Sequence, residues 1–143
     1  MILAPTDRAF DPTYYCHESI GTVVFDPGKG TGDFDPWWVI LRCDTSIVDY
    51  YARMSLGYGR PVTRNKLWGS HISVIKGEVP TKLEAWGKDY GAVKFYYAHY
   101  VRCDNNCHAW VDVWCDKLHE LRSDLGLPPK TKMSFHLTIG RLA

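Results

Sequence analysis

Two short strings carry side chains that can move protons, His71-Ile72-Ser73 and His136-Leu137-Thr138. In a β-strand, residues i and i+2 share one face while i+1 turns to the other. Each string therefore presents an imidazole and a hydroxyl together and buries an aliphatic side chain behind them. Two imidazoles flanking a phosphodiester suit general acid–base catalysis, because unperturbed pKa values near ~6.5 let one accept a proton while the other donates one at neutral pH. The hydroxyls two residues on can donate hydrogen bonds to non-bridging phosphoryl oxygens, where negative charge builds up. This chemistry asks for no metal. A lone strand histidine is more often structural, but two with matching neighbours in matched places are not accounted for that way.

The elements that must hold these strings can be read from periodicity and turn chemistry. Residues 1–19, with Pro5 and Pro12 and no sustained period, read as an arm. A β-branched strand from Ile20 to Phe25 ends in Asp26-Pro27-Gly28, and a Gly/Asp-rich loop follows. Trp37 to Cys43 reads as a buried strand. Asp44 then caps a helix carrying Ile47, Tyr50, Tyr51 and Met54, which ends at Gly57 and Gly59. Ser70 to Ile75 is the first motif strand, and 81–86 reads as a short helix stopped by Gly87. The second half repeats the plan. Val93 to Val101 and Ala109 to Cys115 are strands around a turn at Asp104-Asn105-Asn106. Asp116 caps a helix with Leu118, Leu121 and Leu125, Gly126 closes it, and Ser134 to Ile139 is the second motif strand.

The halves share strand, Cys-Asp (43–44 and 115–116), helix and His-x-Ser/Thr strand in one order, a duplication signal. The expected fold is α+β: two pseudo-symmetric strand-helix-strand lobes around a cleft, the first over about residues 20–90 and the second over about 91–143. The motif strands belong near the pseudo-twofold, with helices on the outer faces.

Composition bounds the partners. The chain has 143 residues, 45% hydrophobic, with 17 Lys+Arg against 16 Asp+Glu, for a net charge of +1. That length buries roughly 68–70% of the unfolded surface, enough for one domain with its own core. Gripping long DNA or RNA neutralises many phosphates and calls for a basic excess that is missing here. A neutral chain with 6 Trp and 9 Tyr better fits a small ligand with stackable rings. Five cysteines, an odd set, with no signal-like start, point to a reducing cytoplasm, and no apolar run reaches the ~18 residues of a membrane span.

Other residues are weighed as ligand contacts. Tyr14 and Tyr15 in the arm and Trp68 before the first motif are candidate base-stacking groups, alongside Trp37 and Trp38. Glu78 either leaves the first motif strand in a turn or binds a base or ribose. Arg141, three residues past His136, is a surface charge or a phosphate contact. Cys103, Cys107, His108 and Cys115 could be imagined around zinc, but Cys115 is matched by Cys43, which has no ligands near it, so no metal site is assigned.

On these motifs the chain resembles the 2H phosphoesterase superfamily, named for its paired His-x-Thr/Ser strings. Within it, Trp68-Gly69-Ser70-His71-Ile72-Ser73-Val74-Ile75-Lys76-Gly77-Glu78 and Phe135-His136-Leu137-Thr138-Ile139-Gly140-Arg141 resemble the phage anti-CBASS nucleases. Gly21-Thr22-Val23 and Trp37-Trp38-Val39-Ile40 extend the likeness to about residues 20–142. The resemblance implies the bilobal LigT-like fold and cofactor-free, metal-independent cleavage of cyclic di- and trinucleotide immune messengers in the host bacterial cytoplasm. It also implies His71 and His136 as the acid–base pair and Ser73 and Thr138 as phosphate binders, with the ribose 2′-hydroxyl as internal nucleophile. First-motif Ser73, where many members carry Thr, keeps the donor. The alternatives are an RNA-end enzyme opening 2′,3′-cyclic phosphates and a sponge that binds cyclic nucleotides without cutting them.

Overall fold

The period-two alternation that pairs each motif histidine with a hydroxyl also sorts the sheet into an apolar face and a polar one. The computed structural model describes residues 9–29, 36–54, 62–63, 70–104, 108–131 and 134–142. Along the chain run β1 (His17–Phe25), β2 (Trp38–Cys43), α1 (Thr45–Met54), β3 (Val62–Thr63), β4 (His71–Lys76), β5 (Ala92–Cys103), β6 (His108–Trp114), α2 (Asp116–Asp124) and β7 (His136–Leu142). All strand pairings are antiparallel. Six strands in the order β4-β2-β1-β5-β6-β7 close into a barrel where β7 meets β4, and β3 adds to β7. Sheet and two helices make the α+β composition expected from the sequence.

The duplicated plan is visible as β1-β2-α1-β4 followed by β5-β6-α2-β7. These halves meet at two seams, β1 with β5 and β4 with β7, so neither half leaves an edge unpaired there. Ile72 and Leu137, which hold the same place in the two motif strings, pair with each other. The motif strands are hydrogen-bonded neighbours in one sheet rather than strands set in facing lobes.

One face of the sheet carries the core. Val39, Leu41, Ile72, Val74, Val93, Phe95, Val111, Leu137 and Ile139 pack with Ile47, Val48 and Tyr51 of α1, with Leu118 and Leu121 of α2, and with Leu125 at the C-cap of α2. Each such side chain contributes about 1.5–3 kcal/mol on burial. Among the described residues no helix is long and apolar enough to cross a membrane.

Local signals held at some places and yielded to tertiary contacts at others. Asp44 caps α1, its Oδ1 accepting the Ser46 N–H at 2.9 Å. Gly57 and Gly59 lie outside the described residues. Asp116 does not cap α2: Cys115 takes the cap position in extended geometry with no side-chain bond, and the Asp116 carboxylate accepts the Trp114 indole N–H at 2.9 Å. Residues 81–86 form turns instead of a helix: the Trp86 and Lys88 N–H groups close tight turns on the Leu83 and Ala85 carbonyls at 3.0 Å, while the Thr81 and Lys82 N–H groups reach the Leu125 carbonyl at 3.0 and 3.1 Å. The arm is shorter than expected, since His17–Ser19 pair with Tyr97–Phe95 as part of β1.

Helix α2 ends in a Schellman arrangement, with Leu127 N–H on the Arg122 carbonyl at 2.9 Å and Gly126 N–H on that of Ser123 at 2.9 Å. Gly126 has φ +76°, and a Cβ there would collide with the Thr81 hydroxyl. Gly91 has φ +66° with open space around it. Gly126→Ala is expected to lower stability by about 2–4 kcal/mol, combining left-handed strain with a clash, and Gly91→Ala by about 1–2 kcal/mol from strain alone. Urea midpoints at unchanged slope check this ordering.

Candidate active site

Ile72 and Leu137 are fully buried on the helix-covered face, so His71, Ser73, His136 and Thr138 project from the opposite one. Extending the Ile72–Leu137 pairing by one residue each way sets His71 beside Thr138 and Ser73 beside His136. Directly opposed Cβ atoms in such a pair are about 4.5–5.5 Å apart and diagonal ones about 7–8 Å. The imidazoles are the diagonal pair, and a phosphoryl group hydrogen-bonded on both sides fits between them.

The register carries both rows across the neighbouring strands. With the β4–β7 pairing extended in this way from Ile72 and Leu137, one row runs Arg42, His71, Thr138, Trp110, Arg102 over β2, β4, β7, β6 and β5, and the other runs Ile40, Ser73, His136, Asp112. Each imidazole meets a tryptophan edge-on: Trp38 with His71 at 6.1 Å and Trp110 with His136 at 6.0 Å between ring centres. Trp38 and Trp110 are both buried, at 4% and 7% exposure, so they wall the imidazoles rather than offer open faces. His136 Nδ1 lies 3.2 Å from the Ser134 carbonyl oxygen. A carbonyl only accepts, so this contact calls for the tautomer with its proton on Nδ1, which leaves Nε2 as the other ring nitrogen.

Beside His136 lies a buried polar cluster. Asp112 accepts from Arg102 Nη1 at 2.7 Å, the Tyr14 hydroxyl at 2.6 Å and Trp110 Nε1 at 3.1 Å. Burial and the Asp112 carboxylate push the Tyr14 phenol above its ordinary range. Its hydroxyl is thus committed to Asp112, while its ring stacks loosely on Tyr100 at 6.5 Å.

No family model, curated protein or solved structure matches the chain.

The remaining sequence candidates fall in several places. Tyr15 is only 2% exposed, enclosed by Phe10, Tyr14 and Trp114, so it has no free ring face to offer a base. Trp68 and the Arg141 side chain lie outside the described residues; the Arg141 backbone pairs with His108 and Thr63. Glu78 is held by Arg122 in a two-pronged pair at 2.8 and 2.7 Å. The same guanidinium donates to the Val74 and Pro128 carbonyls at 2.9 and 2.8 Å, tying α2 to the end of β4. Among the described residues no three His, Cys, Asp or Glu side chains gather as a metal site. Burial pushes the Cys43 and Cys115 thiols up to about 12 and about 11, where they stay protonated and inert.

Sequence reasoning passed over Arg42, Arg102, Trp110 and Asp112. For one of them a signal existed: Trp38 and Trp110 each stand five residues before a Cys-Asp pair, so the duplication marks both. The others gain meaning only from the register.

Hydrogen bonding to Arg122, with the guanidinium charge, holds the Glu78 carboxyl below its ordinary 4.5. Its side chain is 42% exposed, so solvent screens part of that pairing. Glu78→Gln leaves the buried Arg122 with a weaker partner, at an expected cost of about 1–3 kcal/mol at pH 7. A group more acidic in the folded state stabilises above its unfolded value and loses that contribution as pH falls through its folded one. The gap between wild type and variant in urea melts is therefore full at pH 7 and narrows on acidification below about 4.5.

Proposed function

We propose that the chain is a metal-independent phosphodiesterase of the bilobal 2H type that cleaves 3′–5′ bonds of cyclic di- and trinucleotide messengers. The observation that carries it is the placement of His71, Ser73, His136 and Thr138 on one face of adjacent strands about the pseudo-twofold. The near-neutral charge agrees with a ligand of two or three phosphates, which needs local donors rather than a basic surface.

In the proposed reaction one imidazole takes the proton of the ribose 2′-hydroxyl as its oxygen attacks the adjacent phosphorus. The phosphorus–O5′ bond breaks, and the other imidazole, protonated at the start, gives its proton to the departing O5′. The products are a 2′,3′-cyclic phosphate and a free 5′-hydroxyl, and the two imidazoles have exchanged protonation states. Hydrolysis of the cyclic phosphate, with water in the place of the 5′-hydroxyl, resets them. Ser73 and Thr138 hydrogen-bond the non-bridging oxygens as charge grows there, the kind of contact whose loss costs about 10²–10³ in rate. The resemblance places this activity in the cytoplasm of a phage-infected bacterium, where it would remove an immune signal.

Incubation with 3′,3′-cyclic GMP–AMP in EDTA is expected to open the ring, and His71→Ala and His136→Ala to lose at least about 10²-fold of the rate each. Intact substrate, or full activity in both variants, overturns the proposal. Faster turnover of an RNA oligomer ending in a cyclic phosphate would point to an RNA-end enzyme instead. Because a deprotonated base and a protonated acid are needed together, the rate is expected to be bell-shaped in pH, and a flat profile across pH 5–9 would count against the pair.

A further inference from the structure

Among the described residues, four cationic side chains belong to the face that carries the motif residues, and three of them have a partner. Arg102 is buried against Asp112 at 2.7 Å, Lys94 pairs with Glu18 at 3.5 Å, and Lys76 lies over the Trp38 ring at 5.3 Å. Arg42 is exposed and, among the described residues, makes no hydrogen bond or ion pair. It stands directly opposite His71 across the β2–β4 ladder and opposite Thr22 across β1–β2. Directly opposed side chains start about 4.5–5.5 Å apart at Cβ, and the reach of an arginine exceeds that distance. The guanidinium can therefore extend over His71 and Thr138 to the space between the imidazoles.

We propose that Arg42 is a ligand of the scissile phosphate, donating to a non-bridging oxygen on the His71 side of the site. The inference rests on the phosphodiesterase proposal and adds to it a fixed positive charge, one that is kept when the protonated imidazole gives up its proton. Ser73 and Thr138 give neutral donors, and Asp112 and Arg102 cancel each other. Arg42, a cation with no carboxylate partner among the described residues, faces a group that gains negative charge as the nucleophile adds. A planar guanidinium with paired N–H groups suits phosphoryl oxygens better than an ammonium does.

The test compares wild type, Arg42→Gln and Arg42→Lys as full chains with two probes. Turnover of 3′,3′-cyclic GMP–AMP reports catalysis. Calorimetric binding of a cyclic dinucleotide with 2′-deoxyriboses, which lacks the internal nucleophile, reports anion recognition without chemistry. Arg42→Gln is expected to lower kcat about 10²-fold, to weaken the deoxy probe about tenfold and to flatten the salt dependence of its binding, with Arg42→Lys between the two. Unchanged thermal midpoints separate this from misfolding, since Arg42 is exposed. If wild type cleaves and binds and Arg42→Gln does both equally well, the Arg42 role is overturned and the enzyme stands. If wild type binds the deoxy probe through Arg42 but cuts nothing, the phosphate contact stands and the enzyme falls. If wild type neither binds nor cleaves, both fall.

Discussion

The backbone pairing of Ile72 with Leu137 is the contact on which the rest of the molecule turns. Both side chains are fully buried beneath the helices, and that burial decides which way the residues on either side must point. A strand cannot bury Ile72 without projecting His71 and Ser73 to the other face, and the same holds for Leu137 with His136 and Thr138. Slipping either strand by one residue would drive an imidazole into the core and an isoleucine or leucine into water. The hydrophobic effect thus sets the register, and the register brings four polar groups together.

What keeps the two strands beside each other is packing that crosses between the halves. α1, from the first half, lies against β7 of the second, and α2, from the second, against β4 of the first. Arg122 reinforces the second crossing by holding both the Val74 carbonyl and Glu78 from one guanidinium. Closing the barrel at both seams leaves neither motif strand as a free edge. The site is consequently built on two strands that each have a neighbour on both sides, which suits a constellation that must stay fixed.

Local pattern was enough to find the motif strings, the two Cys-Asp helix starts and the order of elements, because each depends on residues near one another in the chain. The same local rules failed where a distant group competed. Residues 81–86 read as a helix from their own neighbourhood, but the segment folds into turns whose leading residues, Thr81 and Lys82, dock on the Leu125 carbonyl. Glu78 looked available to a ligand until Arg122, 44 residues away, claimed both of its oxygens. Tyr15 read as an aromatic on a loose arm, yet it packs into the fold because β1 starts at His17 and brings the arm down on β6. Arg42 and Asp112 are invisible as site residues until the strand register is known, since nothing in their own segments distinguishes them from surface charges.

Register also shows where the duplication has ceased to be symmetric. The position across the ladder from His71 is Arg42, exposed and uncommitted, whereas the position across from His136 is Asp112, buried and neutralised by Arg102. Two imidazoles in identical surroundings would be interchangeable, and each could serve as acid or base with equal ease. Opposite charges at equivalent places break that equivalence. The neighbour of His71 is a solvent-exposed cation, and the neighbour of His136 is a buried carboxylate closed on Arg102 at 2.7 Å. The polar face is therefore asymmetric in charge across its two histidines, with Arg42 on the side of His71 and the Asp112–Arg102 pair on the side of His136.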